Sequence, residues 1–279
     1  LFIDATSAVR MGSKNMARRD DARYFSWTLD NMIMYNKKFD DHSVNVTLLQ
    51  SASKYNAENG SMSEEDVLVP EFLWNNMGQI DIANNERYKP GMSTGLTESQ
   101  MSSYMARINY SYKDRYLLTV SGRYDGSSVL AEGNKWSFFP SAALGWRIDQ
   151  ESFMEGIDWI NQLKLRVGVG STGNSSVSPY GTLGVISAYW MPFGNAGGNQ
   201  QIFVTNEPYY SSGSNLLPNK DLGWEKTTQF NYGIDFSVLD GRIGGTIDIY
   251  HSRTTDLLMR RSISPLSGYP AMMDNIGET

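Results

Sequence analysis

Between Arg115 and Gly173 the chain alternates apolar and polar positions in three successive runs. Tyr116, Leu118, Val120, Gly122 and Tyr124 share one parity, and Leu117, Thr119, Ser121, Arg123 and Asp125 share the other. A period of two marks a strand with two unlike faces. The second run sets Trp136, Phe138, Pro140, Ala142, Leu144, Trp146 and Ile148 against Ser137, Ser141, Ala143, Gly145 and Arg147. In the third, Leu163, Leu165, Val167 and Val169 oppose Lys164, Arg166, Gly168 and Gly170. Each run is about 11 residues or longer, twice an ordinary globular strand and enough for a tilted strand to cross a bilayer. On that reading the apolar face meets lipid.

The same pattern predicts further strands on both sides. Residues 1–23 read as a loop, and Phe25, Trp27, Leu29, Ile33 and Tyr35 then share a face up to a turn at 36–41. Val44, Val46 and Leu48 complete a hairpin. Residues 52–101 show no sustained period and read as a long loop. Tyr104, Ala106, Ile108, Tyr110 and Tyr112 form a strand that turns at Lys113 and Asp114 into the Arg115 run. A connector at 149–162 reads as a helical turn, and 174–223 as a second long loop. Phe230, Tyr232, Ile234, Phe236 and Val238, a turn at Asp240 and Gly241, then Ile243, Gly245, Ile247 and Ile249 give the last hairpin. Connections thus alternate short and long along about eight strands, the sorting of an outer-membrane barrel with tight turns inside and large loops outside. Pro140, inside a strand, predicts a bulge or a weak ladder position.

Composition narrows the alternatives. Hydrophobic residues make up 40% of 279 and no run of eighteen apolar residues occurs, which excludes helical membrane spans. A mean hydropathy of -0.41 does not exclude a barrel, whose two faces average out. Sixteen Tyr and seven Trp suit interfacial girdles, and equally a secreted carbohydrate-binding sandwich. Cysteine is absent, so no disulfide or thiolate metal site is built. The net charge of -6 argues against nucleic acid.

Several segments in order resemble one family. "KDRYLLTVSGRYDGSS" at 113–128, "KWSFFPSAALGWRI" at 135–148, "LKLRVGVGSTGN" at 163–174, "DLGWEKTTQFNYGIDF" at 221–236, "TTDLL" at 254–258 and "NIGET" at 275–279 look like the barrel of SusC/RagA-like TonB-dependent transporters. The resemblance implies an all-β fold, an antiparallel transmembrane β-barrel segment holding about eight of about 22 strands around a plug. All of 1–279 would belong to the barrel domain, with extracellular loops at about 52–101 and 174–223. It further implies a multi-pass protein of the outer membrane of Bacteroidota that imports oligosaccharide or peptide under a SusD-like surface lipoprotein. Contact with the TonB complex would run through an N-terminal segment and plug not recognisable in this sequence, and no cofactor is implied. A secreted β-sandwich or glycosidase-like protein, and a passive porin or adhesin barrel, are the alternatives.

Candidate chemistry is sparse. His42 and His251 have no second ligand at metal spacing, and Glu64, Glu65 and Asp66 lack the pattern of a calcium loop. Asp125 and Asp235 are the candidates for paired carboxylates; the simpler reading pairs them with arginines of a lumen-lining set, Arg107, Arg123, Arg147 and Arg166. Gly168, Gly170 and Gly173 lack the helix and the Lys-Ser/Thr pair of a phosphate loop, and instead let something pack against the wall. Sugar recognition needs flat rings and amides, which Trp74, Tyr189, Trp190, Phe193, Asn195, Tyr209 and Tyr210 supply in the loops.

Overall fold

The computed structural model describes residues 2–3, 16–65, 72, 74–75, 77–78, 80–81, 86–87, 91–183, 187–192, 199–204, 216–264, 269 and 271–279. Eight long strands dominate: β1 Met16–Phe39, β2 His42–Glu65, β3 Gly91–Tyr112, β4 Tyr116–Ser127, β5 Trp136–Arg147, β6 Ile160–Asn174, β7 Glu225–Val238 and β8 Ile243–Thr255. They form one sheet in chain order, with the short strand Phe2–Ile3 antiparallel to the start of β1. The chain divides into two compact units, residues 1–27 with 54–99, and 28–53 with 100–279.

Register explains why alternation in single strands becomes two continuous faces. Ile108 pairs with Val120, Val120 with Ala142, Ala142 with Val169, Val169 with Phe230 and Phe230 with His251. One row along, Tyr110, Leu118, Leu144, Val167, Tyr232 and Ile249 pair in succession. Apart from His251 at the end of the first row, each in-phase pairing keeps apolar side chains beside apolar ones, because a slip of one residue would turn a whole strand over. This face has no second layer over it among the described residues: Leu144 is 62% exposed and Ile249 67%. In water such a continuous apolar surface would be a liability, and against acyl chains it is the expected outer wall of a barrel.

At one end of the second unit the turns at 40–41, 113–115, 148–159 and 239–242 are tied to their neighbours. Lys113 N–H donates to Asp41 O at 2.7 Å, Arg147 N–H to Arg115 O at 2.8 Å, and Leu239 N–H to Trp159 O at 2.8 Å. Lys113 and Asp114 take φ of 54° and 51°, the left-handed backbone that tight hairpins require. The expected helical turn between β5 and β6 is present as two 3-10 turns, Ile148–Gln150 and Ser152–Met154.

At the opposite end of the same unit lies a small apolar core. Val129, Leu130, Phe139 and Trp224 bury together, and Leu130 is 1% exposed. Short strands Leu216–Leu217, Ala271–Asn275 and Leu258–Ser262 form a separate three-stranded sheet.

Two sequence expectations need correction. Residues 16–23, read as loop, open β1, and the segment 52–101 is loop only in its middle, since β2 runs to Glu65 and β3 begins at Gly91. These stretches are polar on both parities, so no period marks them. Cross-strand and i,i+2 charge pairs stand in for apolar contacts, as in half-buried Lys54 with Glu98 at 2.9 Å and exposed Arg18 with Asp20 at 2.9 Å. Pro140 does mark a weak ladder position: it pairs with Gly122 of β4, while the pairing of β5 with β6 starts only at Ser141.

Candidate functional site

The polar face of β3–β8 is built from the parity that the apolar face leaves over. Its hub is Arg166 on β6. Nε donates to Asp235 Oδ2 at 2.9 Å and Nη2 to Asp235 Oδ1 at 2.8 Å, and Nη2 also reaches Asp248 Oδ1 at 3.0 Å. Thr246 Oγ1 donates to Asp235 Oδ1 at 3.1 Å. Gly233, which pairs with both Arg166 and Asp248, leaves room for this: a Cβ there would stand 2.6 Å from Asp248 Oδ1 and 2.7 Å from the guanidinium.

The other expected wall residues divide unevenly. Arg123 Nε grips both oxygens of Asp125 at 2.7 and 2.8 Å, and its Nη2 donates to Ser103 Oγ at 3.1 Å. Arg147 is drawn to Asp149 at 2.9 Å. Arg107 is exposed and makes no side-chain bond to the described residues. Asp125 and Asp235 therefore do not meet. They sit on β4 and β7, about 14 Å apart across the sheet alone at about 4.8 Å per strand, and further still along it, since Asp125 pairs with Ser137 near the loop end of β5 and Asp235 with Lys164 near the turn end of β6, which is beyond the reach of a glycosidase carboxylate pair.

Between these ion pairs the wall is neutral and flat. Ser121 and Ser141 share a hydroxyl bond of 2.6 Å, Thr119 Oγ1 donates to Asn109 Oδ1 at 2.9 Å, and Asn109 Nδ2 donates to Asn45 Oδ1 at 3.1 Å. Asn45 in turn donates to Asn36, which completes an amide ladder from β1 to β4. Gly168 and Gly170 lie on this polar parity, opposite Asn231 and Gln229. A Cβ at Gly168 would meet only ordinary contact, 3.5 Å to Ala143 Cβ. Gly173, grouped with them in the sequence, differs, because the Phe139 ring fills its space.

Most of the ring and amide set drawn from the loops lies outside the described residues. Trp74 is half-exposed beside Asn75 in the first unit. Tyr189 and Trp190 pair with Ile202 and Gln201 across a short hairpin, though their side chains are outside the described residues. Phe193, Asn195, Tyr209 and Tyr210 lie outside them altogether.

Two further clusters were not singled out in the sequence. At the turn end, Glu151 is 9% exposed and accepts from Tyr116 Oη at 2.6 Å, Trp146 Nε1 at 2.9 Å and Arg115 Nη1 at 2.8 Å. The Tyr116 hydroxyl, then the Trp146 indole, hold its carboxyl below the usual range, and Arg115 adds to them against the upward push of burial. Burial also pushes Asp149 up, but bonds from Gln150, the Leu163 backbone N–H and Arg147 outweigh it and lower that carboxyl as well. At the loop end, the motif segments 221–225 and 275–279 prove to be partners. Gly223 N–H donates to Asn275 Oδ1 at 2.7 Å, and Asn275 Nδ2 donates to Gly223 O at 3.1 Å and Asp256 O at 3.0 Å. Trp224 Nε1 donates to Lys135 O at 2.9 Å while its ring meets Phe139 edge-on at 5.4 Å.

An exposed apolar face, an ion-paired polar face and loops clamped at one end are parts of a wall. Comparison with known proteins bears this out: residues 6–279 match the family model described as TonB dependent receptor-like, beta-barrel. The chain belongs to that family. This TonB-dependent barrel segment is 40% identical over 182 residues to the TonB-dependent receptor SusC of Bacteroides thetaiotaomicron, covering 65% of this chain and 17% of that one. It is 32% identical over 261 residues to TonB-dependent receptor P39 of Formosa agariphila, covering 91% and 23%. Its fold is also that of the RagAB peptide importer in the "closed-closed" state, with a TM-score of 0.76 and 22% identity over 95% of this chain and 27% of that chain. The chain thus spans less than a quarter of the curated relatives it matches. The SusC/RagA-like resemblance read from the motifs holds, and the curated relatives are TonB-dependent receptors.

Proposed function

We propose that the chain forms part of the barrel wall of an outer-membrane nutrient importer of the SusC type. The observation that carries this reading is the in-register apolar face, exposed on six paired strands, β3 to β8, and backed by a polar face with paired charges. That is a wall between lipid and an aqueous or protein-filled lumen. Arg107, Arg123, Asp125, Arg147, Arg166 and Asp235 line the lumen in this reading, and the tight turns face the periplasm.

The loops at 66–90 and 175–224 then face outward and meet the ligand, with a SusD-like surface lipoprotein as the closing partner. Energy arrives through the TonB complex acting on a segment outside residues 1–279. The ligand is an oligosaccharide, following the resemblance to the SusC type, and a peptide is the outcome that the test distinguishes.

The test is purification of the full-length protein from outer membranes in mild detergent. It is followed by identification of co-purifying proteins and titration with oligosaccharide and peptide panels. Co-purification of a surface lipoprotein together with saturable oligosaccharide binding supports the proposal. Saturable binding of peptide alone would move the ligand class, and absence from the outer-membrane fraction would overturn the reading.

A further inference from the structure

The sheet is continuous toward its turn end and forked toward its loop end. β4 and β5 pair as far as Gly126 with Trp136, and β6 and β7 as far as Asn174 with Glu225. Between these two hairpins the ladder of β5 with β6 runs only from Arg147 with Lys164 to Ser141 with Gly170. Residues 136–140 and 171–174 therefore make no ladder pairs with each other. A depression of about 580 Å³ lies at the fork, with Pro140 and Ser141 on one side and Gly170 and Ser171 on the other. Pro140 has no N–H to donate, which suits the place where a ladder stops.

Loop and side-chain contacts, not a ladder, join the two leaves of the fork. Phe139 pairs with Arg123 and so lies on the polar parity of β5, whereas Gly173 shares the apolar parity of Val169 on β6. Yet a Cβ on Gly173 would stand 2.1 Å from the Phe139 ring. Opposite parities meet only where two strands have turned out of a common plane, so the leaves are rotated against each other and the ring fills the wedge between them. Beyond the ring, segments 131–135 and 221–224 cross the fork with three bonds. Ala131 N–H donates to Leu222 O at 3.0 Å, Asn134 Nδ2 to Asp221 O at 2.9 Å and Trp224 Nε1 to Lys135 O at 2.9 Å.

We propose that the fork is a hinged opening in the outer rim of the wall. The outer ends of β3–β5 and of β6–β7 swing apart about Ser141 and Gly170, and the contact of 131–135 with 221–224 is the latch that holds them together until cargo passes. On β6–β8 the apolar parity ends at the same level, where Ser171, Thr228 and Arg253 follow Val169, Phe230 and His251. The ladder is thus closed where bare backbone would face hydrocarbon and absent where it meets water. Opening breaks no ladder pair; it releases three bonds and one small core, which places the latch among the low-stability elements that move. The inference rests on the importer reading above.

The latch can be locked chemically. A Cβ on Gly223 would stand 3.6 Å from Asn134 Cβ, within the range of a disulfide, and these 279 residues contain no cysteine. The experiment compares full-length protein carrying Asn134→Cys with Gly223→Cys in its oxidised and reduced forms, with wild type treated alike. Oxidation should lower uptake of the best-binding member of the oligosaccharide panel roughly tenfold, and reduction should restore it. Hydrogen exchange on the purified protein needs no cargo. In the reduced form 131–140 and 171–174 should exchange at least roughly tenfold faster than 141–147 and 164–170, and oxidation should slow only the first set. Trp224→Phe, which keeps a ring but removes the bond to Lys135 O, should quicken exchange in 131–140 roughly fivefold, the effect of one hydrogen bond. Equal exchange on both sides of Ser141 would overturn the fork, and equal uptake by the oxidised and reduced forms would overturn the latch. Wild type that takes up no member of either panel would overturn the importer reading, and the exchange comparison would then decide the fork by itself.

Discussion

The Arg166 guanidinium and the Asp235 carboxylate form a two-point ion pair across β6 and β7, at 2.9 and 2.8 Å, in a space that Gly233 keeps open. Arg166→Ala leaves Asp235 with Thr246 alone and should cost about 1–2 kcal/mol, since the pair is only partly exposed and has two-point geometry. Gly233→Ala should cost about as much by pushing the guanidinium off Asp248. Unfolding of the purified full-length barrel in urea measures both. Wild-type stability in either variant would show that the pair contributes nothing.

The loop-end clamp offers a second check. Asn275→Asp keeps the size of the side chain but removes the amide donor to Gly223 O and Asp256 O. At about 1 kcal/mol per bond, the loss should be about 2 kcal/mol. Hydrogen exchange should then quicken in 216–225 and 256–279 while β4–β6 stay protected. Uniform change over the whole barrel would contradict a local clamp.

Acid should loosen the turn end first. The Glu151 carboxyl is lowered in the folded chain, so its contribution is fully present above the unfolded carboxylate pKa of about 4.3. It is lost as pH falls through the lower folded value. Glu151→Gln cannot accept from Arg115 as a carboxylate does. It should therefore be less stable than wild type at neutral pH, with the gap closing below about pH 4. Thermal unfolding of both proteins from pH 3 to 7 tests this, and a gap of constant size would refute it.

Legibility in the sequence followed one physical condition, a difference between faces. From Tyr104 to Arg147, through β6 and along β7 and β8, one parity is apolar, and strand positions read from the sequence agree with the structure. Asp248 could have been found the same way, since it shares the polar parity of Thr246 and lies opposite Gly233. Residues 16–23, 52–65 and 91–101 are polar on both parities, and backbone pairing that leaves no trace in side-chain period extends the strands there. The clamp was present as two motifs. That Asn275 pairs with Gly223 across 52 positions is a tertiary fact that no local pattern contains.

Gly168 supplies the last prediction, because most other sheet glycines are explained from within. The Phe138 ring lies over Gly122, the Trp136 ring over Gly126, and the Arg166 guanidinium beside Gly233. At Gly168 a side chain would meet Ala143 and the Ala142 carbonyl only at ordinary distance, and glycine in a strand interior is a weak choice, costing about 0.5–1 kcal/mol against alanine. The structure of the wall itself gives no reason for it, which leaves close approach from the lumen side. Gly168→Ala should therefore leave the barrel as stable as wild type or slightly more stable. Gly168→Phe should fold but lower ligand uptake by the full-length transporter roughly tenfold, about 1.4 kcal/mol of lost fit. Heat-resistant migration of the folded band together with uptake in cells separates the two effects. Normal uptake by a folded Gly168→Phe protein would mean that nothing approaches this part of the wall.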